Sequence, residues 1–279
     1  MPTIAVLQMT SGIDPEANFA AIVQAAHTAA GQGAAMLFTP EMSLLLDRDR
    51  ARAAPKIVAQ DQSPFVPQLA GLAEETGLTI ALGSMAVAAA AAGGDRNANR
   101  SMLFAPGAAE PVIYDKIHMF DVDLATGESW RESNAYRPGA AVVTVEETPV
   151  GRLGLAVCYD LRFPALFGAL GDRACDAIAV PAAFTKPTGA AHWHVMLRAR
   201  AIEAQAFVIA AAQVGRHADG RETYGHSLVV DPWGEVLLDM GGKETGLGLC
   251  DIDLARIAAV RAQVPALANR REIVTSHVS

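Results

Sequence analysis

At 279 residues, 51% hydrophobic and 19% charged, the chain can bury a sizeable core and lacks the composition of a disordered one. A formal charge of −8 speaks against sequence-independent binding to nucleic acid phosphates. It leaves a small anionic substrate open, because a few cations reverse the sign inside a pocket.

Cys158, Cys175 and Cys250 are widely spaced and form no CxxC, which argues against a disulfide framework or zinc knuckle and for a reducing compartment. Met1 to Gln8 lacks the basic region and apolar run of a signal peptide, and the tract from Met85 to Ala92 is too short to span a membrane. The expectation is a cytoplasmic protein with one domain over residues 1–279, no membrane and no nucleic-acid partner.

Thr3 to Gln8 suits a first strand, and Asp14-Pro15 opens a helix through about Ala30, closed by Gly31 and Gly33. Ala35 to Phe38 is a second strand, running into Thr39-Pro40-Glu41. Pro67 to Thr76 reads as a helix stopped by Gly77, and Leu78 to Gly83 as a strand. This alternation implies crossovers and partly parallel sheet. Ala86 to Asn99 is a poor structure former and is read as a variable hairpin loop, with strands at Ser101–Ala105 and Pro111–Tyr114. Asp115 to Gly139 has no clear period, as functional segments often do not.

Further on, Leu153 to Val157 is a short apolar run fit for a buried strand. It leads into Cys158, a turn, and a helix from Pro164 to Leu170. Then come a strand (Asp176–Pro181) and a helix from about Ala190 to Ala204, where Trp193, Leu197, Ala201 and Ala204 form a core face. Phe207–Gln213, His226–Val230, Glu235–Leu238 and Gly246–Ile252 read as strands, and Leu254–Gln263 as a closing helix. No GxGxxG or Walker A loop occurs, so a doubly wound nucleotide-binder is not indicated.

A cysteine at the corner between strand and helix can meet unpaired N–H groups and a helix dipole, both favouring thiolate; alternatively, Cys158 is a small core residue. Glu41 and Lys116, like Cys158, directly follow apolar strands, and in open α/β architectures such strand ends converge on a ligand crevice. Base, cation and nucleophile gathered there would suit acyl transfer, whereas as ordinary loop charges Glu41 and Lys116 would be solvated.

Four segments lie in an order that resembles the nitrilase (carbon–nitrogen hydrolase) superfamily. They are Phe38-Thr-Pro-Glu41, Tyr114-Asp-Lys116-Ile-His118-Met-Phe120-Asp, Arg131-Glu132-Ser, and Gly154-Leu-Ala-Val-Cys158-Tyr-Asp-Leu-Arg-Phe. Thr39, in place of a more usual apolar residue, departs from the pattern. The resemblance runs from Ile4 to about Arg271. It implies an α/β fold, a four-layer α-β-β-α sandwich with mixed sheets, and a homodimer or higher homo-oligomer packed through outer helices.

It also implies roles. Glu41 is the general base on the Cys158 thiol, and Lys116 with the backbone N–H of Tyr159 stabilises the oxyanion. Glu132 orients Lys116 and the substrate amide. The product is a thioacyl-enzyme hydrolysed by a water that Glu41 activates, with ammonia released from a primary amide. No cofactor and no metal are implied, since Lys116 supplies the charge a zinc ion would.

Thr188 to Trp193, Arg198 to Gln205, Gln213 to His217 and Tyr224 to Gly234 look most like the branch acting on deaminated glutathione. An ω-amidase of 2-oxo acid amides, a carbamoylase, a true nitrilase and a non-catalytic protein on the same scaffold are the alternatives. Arg162 is the candidate for a substrate carboxylate, by its bidentate fork, unless it pairs with Asp160. Phe184 and Thr188 match pocket-lining positions. His192 and His194, two apart on a helix, point in different directions and cannot chelate one metal as an i, i+4 pair would. His118 and His226 read as hydrogen-bonded structural residues.

Overall fold

The computed structural model describes residues 1–89, 96–125, 127 and 129–273. In chain order the first half runs β1 (Thr3–Gln8), α1 (Pro15–Gly31), β2 (Met36–Phe38), α2 (Arg50–Ala53), α3 (Phe65–Thr76), β3 (Thr79–Val87), β4 (Ala98–Phe104) and β5 (Val112–Asp115). A small hairpin follows, β6 (Asp121–Asp123) with β7 (Ser129–Arg131). The second half is β8 (Thr144–Thr148), β9 (Gly151–Leu155), α4 (Pro164–Asp172), β10 (Ala177–Ala179), α5 (Lys186–Ala204) and β11 (Phe207–Ala210). It ends with the hairpin β12 (Val214–Arg216) and β13 (Glu222–Tyr224), then β14 (Leu228–Val230), β15 (Val236–Asp239), β16 (Gly246–Asp251) and α6 (Ala255–Gln263).

Two six-stranded mixed sheets result, in the orders β16-β1-β2-β3-β4-β5 and β15-β14-β11-β10-β9-β8. β1, β2 and β3 are mutually parallel, as are β9, β10 and β11, and antiparallel strands flank both trios. The period-two alternation of a strand explains the layering. Ile4 and Val6 of β1, with Met36 and Phe38 of β2, point to the inner core shared with Leu153 and Leu155 of the second sheet. Ala5, Leu7 and Leu37 point the other way, against Phe19 and Ile22 of α1 and Leu69 and Leu72 of α3. Leu166 and Phe167 of α4 and Trp193, Leu197 and Ala201 of α5 close the far side. The layers are α-β-β-α, as the resemblance implied.

Local chemistry sets the helix ends. Asp14 accepts from the Glu16 N–H (3.1 Å) with Pro15 in the first turn of α1. α5 begins at Lys186, four residues before the sequence reading placed it, because Pro187 supplies the first turn. It ends on Gln205 in the left-handed region (φ +50°).

Two readings are corrected. Ala86–Asn99 is not all loop: β3 runs to Val87 and β4 starts at Ala98, so these two strands flank the connection, of which residues 90–95 lie outside the described residues. Burial on every residue of β3 overrides the weak strand propensity of its alanines. The aperiodic stretch from Asp115 to Gly139 holds β6, β7 and a 3₁₀ turn at Glu132–Asn134, elements too short to leave a period. No described helix is long and apolar enough to cross a membrane.

Candidate active site

Glu41 follows β2, Lys116 follows β5 and Cys158 follows β9, and the packing of the two sheets brings all three together. They line one cavity of about 490 Å³ with Asn99, Glu132 and Tyr159. Phe184 and Thr188 line it too. Glu41, Lys116 and Cys158 are buried, Lys116 to 2% exposure, so the charges there must be paired.

The pairing is complete around the ammonium. Lys116 Nζ donates to Glu41 Oε1 (2.9 Å) and to both oxygens of Glu132 (3.0 and 2.8 Å). Burial alone would drive the proton off Lys116, but the Glu132 and Glu41 carboxylates outweigh it and hold its pKa well above the usual lysine range. Glu132 is fixed in turn by the Phe120 N–H (2.6 Å), and the second oxygen of Glu41 by the Ala183 N–H (3.0 Å).

Cys158 sits at φ +49°, in the left-handed region that costs a non-glycine residue strain and is typical of a residue held for function. Its own N–H donates to Pro181 O (2.8 Å). Cys158 opens a 3₁₀ turn to Arg162, and α4 begins at Pro164, where the sequence reading placed it. The thiol itself is buried. Burial pushes its pKa well above the usual thiol range, the Glu41 charge raises it further, and Lys116 and the Ala183 N–H only partly oppose this. A neutral thiol beside a carboxylate is the arrangement in which a base is needed.

Several supporting residues escaped the sequence reading. Asn99, on β4, donates from Nδ2 to Glu41 Oε1 (3.0 Å) and Glu132 Oε1 (3.2 Å), while its buried Oδ1 has no partner among the described residues. The readable signal was a polar residue within a strand whose neighbours are buried. Asp160, fully buried, accepts from the Tyr114 hydroxyl (2.6 Å), the Val157 N–H (2.9 Å) and the His118 N–H (3.0 Å), and lies 2.6 Å from His118 Nδ1. It thereby ties the Cys158 turn to the segment carrying Lys116.

Gln213 donates to the backbone oxygen of Glu41 (3.0 Å). His217 lies between Ser11 O and Thr223 Oγ1, both at 2.8 Å, and burial lowers its pKa. The Gln213-to-His217 segment thus braces the loop of Glu41 from behind.

The unusual Thr39 acts in a similar way. Its hydroxyl accepts from the Gly83 N–H (3.0 Å), joining β3 to the turn before Glu41. Gly83 must be glycine there. A Cβ at that position would stand 2.0 Å from Thr39 O, 2.5 Å from Pro40 O and 2.6 Å from Pro181 Cβ. Gly83→Ala is expected to push the Glu41 loop away from Cys158, lowering kcat at least about tenfold and stability by about 1–3 kcal/mol. Steady-state kinetics with urea unfolding checks this, and a variant matching the parent in both would contradict it.

Arg162 lies elsewhere than expected. It does not line the cavity, and Asp160 is not its partner. Its guanidinium stacks over Tyr159 (5.8 Å) and Phe184 (5.4 Å) and contacts His192 Nδ1 (3.3 Å) and Met196 Sδ (3.9 Å). His194 pairs across the fold and not with His192: His194 Nε2 and His226 Nδ1 flank Asp239, at 3.1 and 2.8 Å, away from the cavity.

A model of the family described as carbon-nitrogen hydrolase matches residues 3–262. The deaminated glutathione amidase of Yersinia enterocolitica is 40% identical over 96% of this chain and 92% of its own. Among solved structures, the C. elegans NitFhit protein superposes with a TM-score of 0.88 at 33% identity; the match covers 97% of this chain and 65% of that longer one. A mutant amidase from Nesterenkonia sp. AN1, solved with the acetamide moiety of fluoroacetamide added covalently at its active-site cysteine, gives a TM-score of 0.78 at 25% identity, covering 97% of this chain and 94% of that one. The chain belongs to the carbon–nitrogen hydrolase family of the nitrilase superfamily and is a hydrolase of the amidase type.

Proposed function

We propose that this chain cleaves the amide bond of small carboxylate-bearing substrates through a thioacyl-enzyme on Cys158, with deaminated glutathione as its substrate. The observation that carries the reading is the closed network of Glu41, Lys116, Glu132 and Asn99 beside the buried Cys158 thiol in one cavity.

Glu41 takes the thiol proton as the sulfur attacks the amide carbon. Lys116 and the Tyr159 N–H meet the negative charge that develops on the carbonyl oxygen. The tetrahedral adduct collapses, the C–N bond breaks, and the leaving amine takes the proton from Glu41. A water then gives a proton back to Glu41 as it attacks the thioester, and the thiol is regenerated. Glu132 accepts from Lys116, Asn99 donates to Glu41 and Glu132, and both are positioning residues, holding the base and the cation in one geometry throughout.

Two features of the cavity favour deaminated glutathione over a short ω-amide: its volume of about 490 Å³ and the arginines at its mouth. The choice of substrate changes the product. Deaminated glutathione has lost its amine and holds only secondary amides, so the leaving group is the amine of its cysteinylglycine portion. Ammonia follows only from a primary ω-amide, the product the sequence reading had expected.

The reading extends to one catalytic domain over residues 1–279 working in the cytoplasm as a homodimer. Three unpaired cysteines support the compartment. Exposed Val195 and Ile202 on α5, with Trp233, Val236 and Leu237 on the β14–β15 hairpin, whose Gly234 packs against the Ile202 side chain, support a partner face.

Incubation with deaminated glutathione and with the ω-amide of 2-oxoglutaric acid, reading cysteinylglycine and ammonia separately, is the test. Higher kcat/KM for the first is expected. A strong preference for the second would make the chain an ω-amidase.

A further inference from the structure

Resting on that reading, we propose that Arg48 and Arg221, both packed over the Trp130 ring, form the subsite for the substrate's far carboxylate, the one on the glycine end of deaminated glutathione. Both guanidinium groups lie over the same indole, Arg48 at 5.4 Å and Arg221 at 5.0 Å from the ring centre. All three residues line the cavity that holds Cys158. Arg48 is exposed whereas Cys158 is buried, which puts the pair toward the mouth and the chemistry toward the floor.

The charges around them are already spoken for, and that leaves a net positive mouth. Asp47 is taken by Arg52 through two bonds (2.7 and 2.8 Å), and Glu222 by Lys186 (2.9 Å). Arg48 has no acidic side-chain partner among the described residues. Asp219, whose side chain is fully buried, accepts from Arg221 Nε (2.7 Å) and from the backbone N–H of Arg48 (2.8 Å). One carboxylate thus fixes the Arg221 side chain and the Arg48 backbone before any substrate arrives, and preorganisation of this kind lowers the entropic cost of binding.

The indole N–H of Trp130 is also buried and has no hydrogen-bond partner among the described residues, a third donor at the same place. A flat aromatic with two guanidinium forks packed on it suits a carboxylate with an adjoining peptide plane. The site would distinguish a peptide-length amide from a short ω-amide, whose single carboxylate sits close to the scissile carbon.

The experiment is calorimetric binding to the Cys158→Ala protein, which cannot turn substrate over. The ligands are deaminated glutathione and its analogue ending in glycinamide. The acid is expected to bind about ten- to a hundredfold more tightly than the carboxamide, the range for a hydrogen bond to a charged group. Adding Arg48→Ala, or separately Arg221→Gln, should bring that ratio close to one. A ratio of one in the parent, a ratio that survives both substitutions, or a ratio that collapses only with Arg162→Ala would overturn the proposal. Cysteinylglycine release by the unmodified enzyme keeps the two readings apart. Release with no preference for the acid removes the subsite alone, and absence of release removes deaminated glutathione as the substrate.

Discussion

Cys158→Ala should abolish turnover on every amide, lowering kcat by at least about 10⁴-fold, because no other group in the cavity can form the covalent intermediate. Cys175 and Cys250 do not line the cavity, so neither can take over. The fold should survive. The substitution removes one sulfur from a residue whose backbone contact to Pro181 O is made by its own N–H, and the cost should stay within about 1 kcal/mol. Amide hydrolysis under saturating substrate, with thermal unfolding of the same preparation, separates the two effects. Residual activity near the parent's would remove Cys158 from the mechanism.

The second large effect is expected at a residue that need touch no substrate. Asp160 gathers the Tyr114 hydroxyl and the Val157 and His118 N–H groups around one buried carboxylate. In Asp160→Ala those donors lose their acceptor, and each stranded group costs about 1–3 kcal/mol unless water reaches it. We expect a loss of about 3–5 kcal/mol of stability, in keeping with removing one partner from a buried charged network. The folded fraction should also be at least about a hundredfold slower, because the Cys158 turn and the Lys116 segment lose their common anchor. Asp160→Asn keeps one acceptor oxygen but sets an amide N–H₂ against groups that donate, so it should fall between. Urea unfolding with kcat measured far below the melting temperature checks both parts. Parent-like kcat in a destabilised Ala variant would confine Asp160 to the fold.

What the sequence disclosed and what it hid divide along physical lines. Glu41, Lys116 and Cys158 were candidates because each follows a short apolar strand, but strand placement left them open as loop charges or a core cysteine, and the resemblance to the nitrilase superfamily assigned them. Several supporting residues were not candidates. Asn99 was assigned to a loop because the alanines before it have weak strand propensity, and only the burial of β3 against its neighbours makes that stretch a strand. α2 and the 3₁₀ turns around it are too short to carry a period. The Glu41–Lys116 contact spans 75 residues and no local rule anticipates it. Arg162 shows a different limit: side-chain direction is decided by packing, and the guanidinium lies over the Tyr159 and Phe184 rings and not among the residues that line the cavity. The helix-dipole argument for a thiolate failed for a related reason. Burial and the Glu41 charge exceed what a turn can offer.

The most direct measurement is the intact mass of the enzyme, acid-quenched during turnover of deaminated glutathione, followed by peptide mapping. A mass increase equal to the 2-oxoglutaryl group is expected, placed on Cys158 and absent from the Cys158→Ala protein. Turnover at full rate with no acyl adduct at any time point, together with an undiminished rate in that variant, would contradict it.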